Sequence, residues 1–87
     1  GLKVFPNPGH NMVYFEFDVE KPSDAVCSIY SADGKLVRSW NVKNLAHGLQ
    51  RLAFNLSELP LVPGQYLCAV DTTIPGNKRK LAWLIIQ

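Results

Sequence analysis

Met12-Val13-Tyr14-Phe15-Glu16-Phe17-Asp18-Val19 decides the fold of this chain. Val13, Phe15, Phe17 and Val19 fall on one face of an extended segment, and Tyr14, Glu16 and Asp18 on the other. Strand side chains alternate between faces, so this period of two predicts a strand buried on one side and solvated on the other. Working outward, further strands are expected over residues 2–5, 25–31, 35–42, 49–56, 65–72 and 78–86. About seven short strands in 87 residues predict an all-β fold, an immunoglobulin-like antiparallel β-sandwich. The alternation places Val13, Phe15, Phe17, Ile29, Leu52, Phe54, Tyr66 and Val70 in the core.

The breaks between these segments have physical causes. Proline donates nothing to a ladder and extends the residue before it, so Pro6-Asn7-Pro8 ends the first strand. Ala32-Asp33-Gly34 suits a three-residue hairpin with the glycine left-handed. Pro63-Gly64 and Pro75-Gly76 fit the central positions of type II turns. Residues 44–48 read as a polar loop, and Ser57 as the cap of a single helical turn ending at Pro60.

The composition excludes several function classes. At 47% hydrophobic and 18% charged, the chain has enough apolar surface to fold. A domain of this size buries only about 60–65% of its unfolded surface, so the core must be efficient. The net charge of +2 and the single basic run Lys78-Arg79-Lys80 give no footprint for nucleic acid. No apolar run is long enough to insert into a bilayer. His10 and His47 lie in separate predicted loops, and Cys27 and Cys68 form no CxxC, so neither a metal nor another cofactor is expected. Glu16, Asp18 and Glu20 share a strand face and read as a solvated acidic surface rather than a catalytic pair. With no phosphate loop and no nucleophile elbow, an enzyme is not expected.

Other features stay open at this level. Cys27 and Cys68 point inward on strands expected to be neighbours, which predicts buried free thiols. The alternative is a disulfide closing a loop of about 40 residues and worth ~3–4 kcal/mol. Asn55-Leu56-Ser57 matches a glycosylation sequon, and Tyr14, Trp40 and Trp83 are candidate exposed aromatics of a sugar-binding platform. Gly1 stands where a methionine would start a gene product, so residues 1–87 are expected to be one domain excised from a longer secreted protein.

The order of the motifs resembles the type A C-terminal sorting domain of type IX secretion cargo in Bacteroidetes. The resemblance rests on Val4-Phe5-Pro6-Asn7-Pro8, on Ile29-Tyr30-Ser31-Ala32-Asp33-Gly34-Lys35-Leu36-Val37, and on Leu56-Ser57-Glu58-Leu59-Pro60 followed by Pro63-Gly64-Gln65-Tyr66. A basic and then apolar final segment, residues 78–87, completes it. The chain differs from the family pattern at Ser31, where an aspartate is usual, in the extra Leu61-Val62, and in having its last lysine at Lys80. The resemblance implies a non-catalytic address that follows a cargo into the periplasm. There a translocon recognises it for export across the outer membrane. A sortase-like surface protease then removes it and attaches the cargo to the cell surface. Family-motif residues are Pro6, Asn7, Pro8, Gly34, Lys35, Gly64 and Tyr66. The alternatives are a retained immunoglobulin-like domain for surface docking or signalling, and a carbohydrate-binding or spacer module of a secreted glycosidase.

The last strand carries the sharpest expectation. Leu81, Trp83 and Ile85 alternate with Ala82, Leu84 and Ile86, so both faces are apolar. Lys78, Arg79 and Lys80 guard only its start. An unprotected apolar edge invites strand addition. Lys78, Arg79, Lys80, Leu81, Trp83 and Ile85 are therefore the candidate docking residues for a translocon subunit, and the same edge could join two copies into a homodimer.

Overall fold

The alternation of residues 12–19 becomes the central strand of one of two antiparallel sheets. A computed structural model describes all residues from Gly1 to Gln87. The strands are β1 (Lys3–Phe5), β2 (Met12–Val19), β3 (Ser23–Ser31), β4 (Leu36–Leu45), β5 (Gly48–Asn55), β6 (Gly64–Thr72) and β7 (Lys80–Ile86). One sheet has the order β1-β2-β5 and the other β4-β3-β6-β7. The chain is an all-β, immunoglobulin-like sandwich, with the fourth strand on the sheet of β3, β6 and β7.

The core lies between the sheets. Val13, Phe15, Phe17 and Val19 from β2 meet Ala25, Cys27 and Ile29 from β3 and Cys68 and Val70 from β6. Phe15 packs edge-on to Phe54 at 5.1 Å, and Trp40 stacks on Phe54 at 4.3 Å. Trp40 therefore faces inward, opposite Cys27, and is no exposed platform. Tyr14 is half-buried against the Phe5 ring, which leaves Trp83 as the exposed member of the three aromatics. Leu52, expected in the core, is half-buried, because β5 is the outer strand of its sheet and one flank meets solvent.

The connections repeat some expectations and correct others. Ala32-Asp33-Gly34 forms the expected hairpin: the Gly34 N–H donates to the Ser31 carbonyl at 2.9 Å, and Gly34 has φ +89°. Ile74-Pro75-Gly76-Asn77 closes as a turn through the Asn77 N–H and the Ile74 carbonyl, 3.0 Å apart. Gly64, by contrast, is the first residue of β6 and pairs with Ile86; it is not the centre of a type II turn. Residues 44 and 45 extend β4 instead of forming a loop. Asn44 sits at φ +58°, where Asp24 Oδ1 accepts its N–H at 2.9 Å, and Leu45 turns inward. That hydrogen bond, followed by Lys43, holds the Asp24 carboxyl below its usual range. Residues 57–59 make no helix. The Asn55 side chain accepts the Ser57 N–H at 2.9 Å, so Asn55 rather than Ser57 organises this turn.

Tyr66 closes the corner before β6. Its hydroxyl donates to the Val62 carbonyl at 2.7 Å and accepts the Val62 N–H at 3.1 Å. This is the tyrosine-corner device of immunoglobulin-like sandwiches, a ring in the core with its hydroxyl tied to upstream backbone. Tyr66→Phe is expected to lower stability by about 1 kcal/mol, the net worth of such a bond. Urea denaturation with an unchanged slope and a lower midpoint checks it.

Candidate functional site

The family-motif residues fall into three groups, two of which, Pro6-Asn7-Pro8 and the start of β6, flank β7 on either side. Pro6-Asn7-Pro8 and Gly9 form a strap along the free edge of β7, on the side away from β6. Asn7 Nδ2 donates to the Trp83 carbonyl at 3.1 Å, and Asn7 Oδ1 accepts the Ile85 N–H at 2.9 Å. The Gly9 N–H donates to the Ile85 carbonyl at 2.8 Å. In an antiparallel strand the N–H and C=O of one residue point the same way. Leu81, Trp83 and Ile85 thus present their backbone to the edge, and residues 82, 84 and 86 present theirs to β6. The edge expected to be unguarded beyond Lys80 is closed from Trp83 onward. The reason is that Asn7, 76 positions from Trp83 and 78 from Ile85 in sequence, folds back onto it.

Gly9 is the residue that sequence reasoning missed. It is buried, and a Cβ there would lie 2.9 Å from Leu84 Cδ1 and 3.3 Å from Val13 Cγ1. Any side chain there would have to displace the buried Leu84 side chain for the strap to keep this approach. Its position directly after Pro6-Asn7-Pro8 and before a strand was the available signal.

Gly34 and Lys35 lie on the β3–β4 hairpin, beside the outer face of the four-stranded sheet. The Ser31 hydroxyl donates to Asp33 across this hairpin and, with Lys35 nearby, keeps the Asp33 carboxyl below its usual range. The side chains of Tyr30, Leu67 and Trp83 form one row across β3, β6 and β7, and Leu36 continues it onto β4. Ser28 and Ala69, in the next row, are small and buried, so the face dips at its centre. Tyr30, Ser31, Gly34, Leu67, Arg79 and Trp83 line a shallow depression of about 250 Å³. Five of the eight exposed large apolar side chains, Val26, Leu36, Leu81, Trp83 and Ile85, share this outer face.

Arg79 is fixed at the margin of the face. Its Nε lies 3.0 and 3.1 Å from the two Asp71 oxygens, and one Nη donates to Asp71 at 3.0 Å and to the Tyr30 hydroxyl at 2.9 Å. These bonds, Asp71 first and Tyr30 second, push its pKa further up, so the guanidinium is a permanent cation. Lys78 and Lys80 flank it; Lys78 is exposed and Lys80 half-buried. On the other sheet, Glu16 pairs with Arg51 at 3.3 Å, as neighbours across β2 and β5. Gly64 and Tyr66 pair with Ile86 and Leu84, so they support β7 from its inner flank.

A family model described as a secretion system C-terminal sorting domain matches residues 3–86, essentially the whole chain. The curated proteins and the solved structures give no match. The strap, the hairpin, the β6 corner and the last strand up to Ile86 all lie within the matched residues. The chain belongs to the secretion system C-terminal sorting domain family, the C-terminal sorting signal of type IX secretion, which directs export across the outer membrane to the surface or beyond.

Proposed function

We propose that the export machinery reads the outer face of the four-stranded sheet at β7, with Leu81, Trp83 and Ile85 as the apolar contacts and Arg79 as the cation at its margin. Lys78 precedes the strand, and Lys80, opposite Val70, falls on the inner face. The observation that carries this reading is the concentration of exposed apolar side chains on one face, with Trp83 53% and Leu36 56% accessible. Monomeric proteins rarely leave such side chains contiguous without a partner. In this reading the domain is one module of a longer secreted protein and contributes no catalytic step. It meets the translocon in the periplasm, and a sortase-like surface protease acts on it after passage. Pairing of two copies through β7 meets an edge already held by Asn7 and Gly9, so the recognised form is the monomer.

The test substitutes residues and does not delete the strand, because Leu84 is fully buried and removing β7 would open the core. Residues 1–87 are fused to a periplasmic reporter in a type IX-competent host, with Leu81→Ser and Trp83→Ser together. Losing a central aromatic anchor costs about 2 kcal/mol or more, which is about 30-fold in affinity. The reporter is expected to accumulate in the periplasm while circular dichroism stays unchanged. Leu49→Ser, on the other sheet and 62% accessible, is expected to export normally. Normal export of the double variant overturns the assignment of this face.

A further inference from the structure

The strap closes the β7 edge with the same groups that a neighbouring strand would use. A primary amide carries one carbonyl and one N–H donor set, as a peptide group does. Asn7 accordingly serves the Trp83 carbonyl and the Ile85 N–H, and Gly9 serves the Ile85 carbonyl. Asn7 thus stands in for one peptide unit of an eighth strand. Its neighbours Pro6 and Pro8 have no N–H, so the strap cannot itself be extended as a ladder. On the same edge, the strap makes no hydrogen bond to the Leu81 N–H and C=O or to the Trp83 N–H.

We infer that Asn7 is an edge guard that keeps β7 from pairing with β7 of a second copy of this chain. The second copy is the occupant that the strand itself specifies. In a two-fold antiparallel pair, Leu81 lies opposite Trp83 of the other copy, and both turn their backbone to the edge. The next bonded pair, two residues on, is Arg79 with Ile85. That register requires the Trp83 carbonyl and both backbone groups of Ile85, which are the three groups the strap holds. Charge does not oppose it, because Arg79 and Lys80 fall opposite Ile85 and Leu84 and not opposite each other. The exposed Leu81, Trp83 and Ile85 side chains of the two copies would merge into one apolar face. With charge and shape both permissive, the strap is what stands against pairing.

The experiment compares the wild-type 87-residue chain with Asn7→Ala by sedimentation velocity and amide hydrogen exchange. The wild type is expected to stay monomeric up to millimolar concentration. The variant is expected to dimerise in that range. In dilute variant, where the chain is monomeric, the Ile85 amide is expected to exchange about tenfold faster or more, while the Leu84 amide, bonded to β6, is unchanged. At high concentration, Leu81 and Ile85 amides become protected together. A variant that frees Ile85 and still sediments as a monomer at millimolar concentration overturns the guard. So does an Ile85 amide that stays protected without Asn7. If Asn7→Ala unfolds, Asn7→Leu carries the same test. It is close to the amide in shape and offers neither a donor nor an acceptor, so a dimer supports the guard and a monomer overturns it.

Discussion

Phe15→Ala lowers the stability of this domain by about 3–5 kcal/mol, through lost transfer energy and the cavity left behind. Phe15 is fully buried at the middle of β2, the central strand of its sheet. Val4 of β1 and Leu52 of β5 lie opposite it on either side, and the Phe54 ring meets its edge at 5.1 Å. Two flanking ladders hold the backbone in place, so the site cannot collapse onto the void. Against a total of about 5–15 kcal/mol for a small domain, the loss is about a fifth or more. Chemical denaturation reads it as a large fall in midpoint at constant slope. An unchanged midpoint would mean that Phe15 faces solvent and that the register of β2 is displaced by one residue.

The two thiols provide the second large effect. Cys27 and Cys68 are free and fully buried. They lie on the same face of paired strands but not opposite each other: Cys27 faces Val70, and Cys68 faces Ile29. Such diagonal neighbours are about 7–8 Å apart, beyond the 4.4–6.8 Å of a disulfide. Burial is the main cause that pushes each thiol up to about 12, with Asp71 adding to Cys27 and Cys27 to Cys68. The thiolate is the reactive species, so near pH 8 alkylation of the native domain is expected to be about a thousandfold slower than of the unfolded chain. Two labels after unfolding without reductant, and none before, is the expected mass result. Two labels at the unfolded rate in native buffer would show that the core is open.

The same shift has a consequence for pH dependence. The unfolded thiols lose their protons near 9.0, whereas the folded ones keep theirs to about 12. The folded state therefore binds more protons in between, and stability falls as pH rises through that window. The contribution is complete below pH 9 and gone above 12. Thermal melts across this range should fall less steeply in the Cys27→Ala, Cys68→Ala double variant.

Much of this fold was legible in the sequence because strand burial has a period of two. Val13, Phe15, Phe17 and Val19 announce their face without any knowledge of what packs on it. The hairpin at Ala32-Asp33-Gly34 is legible for a similar reason, since its glycine answers a local backbone demand. Order of motifs was enough to indicate the sorting-domain family, because each motif marks a turn or a strand end at a set interval. Local pattern fails where the partner is remote. Trp40 looks like any surface aromatic until Phe54 of the other sheet is placed under it. Leu52 looks like any inward residue until β5 proves to be the last strand of its sheet.

The candidate site divides along the same line. The sequence by itself determined that the last strand is apolar on both faces and that three cations stand at its start, because alternation and charge are local properties. It also determined that Pro6 and Pro8 end the first strand, since a missing N–H is a property of the residue. Only the tertiary structure decided that Asn7 and Gly9 lie on the edge of β7, 76 and 78 positions away for the two Asn7 contacts. It alone joined Leu36, Tyr30, Leu67 and Trp83 into one row, and tied Arg79 to Asp71 and Tyr30. The physical reason is that strand pairing is set by which edges meet when two sheets close over a common core. That choice depends on every strand at once, and no single segment encodes it.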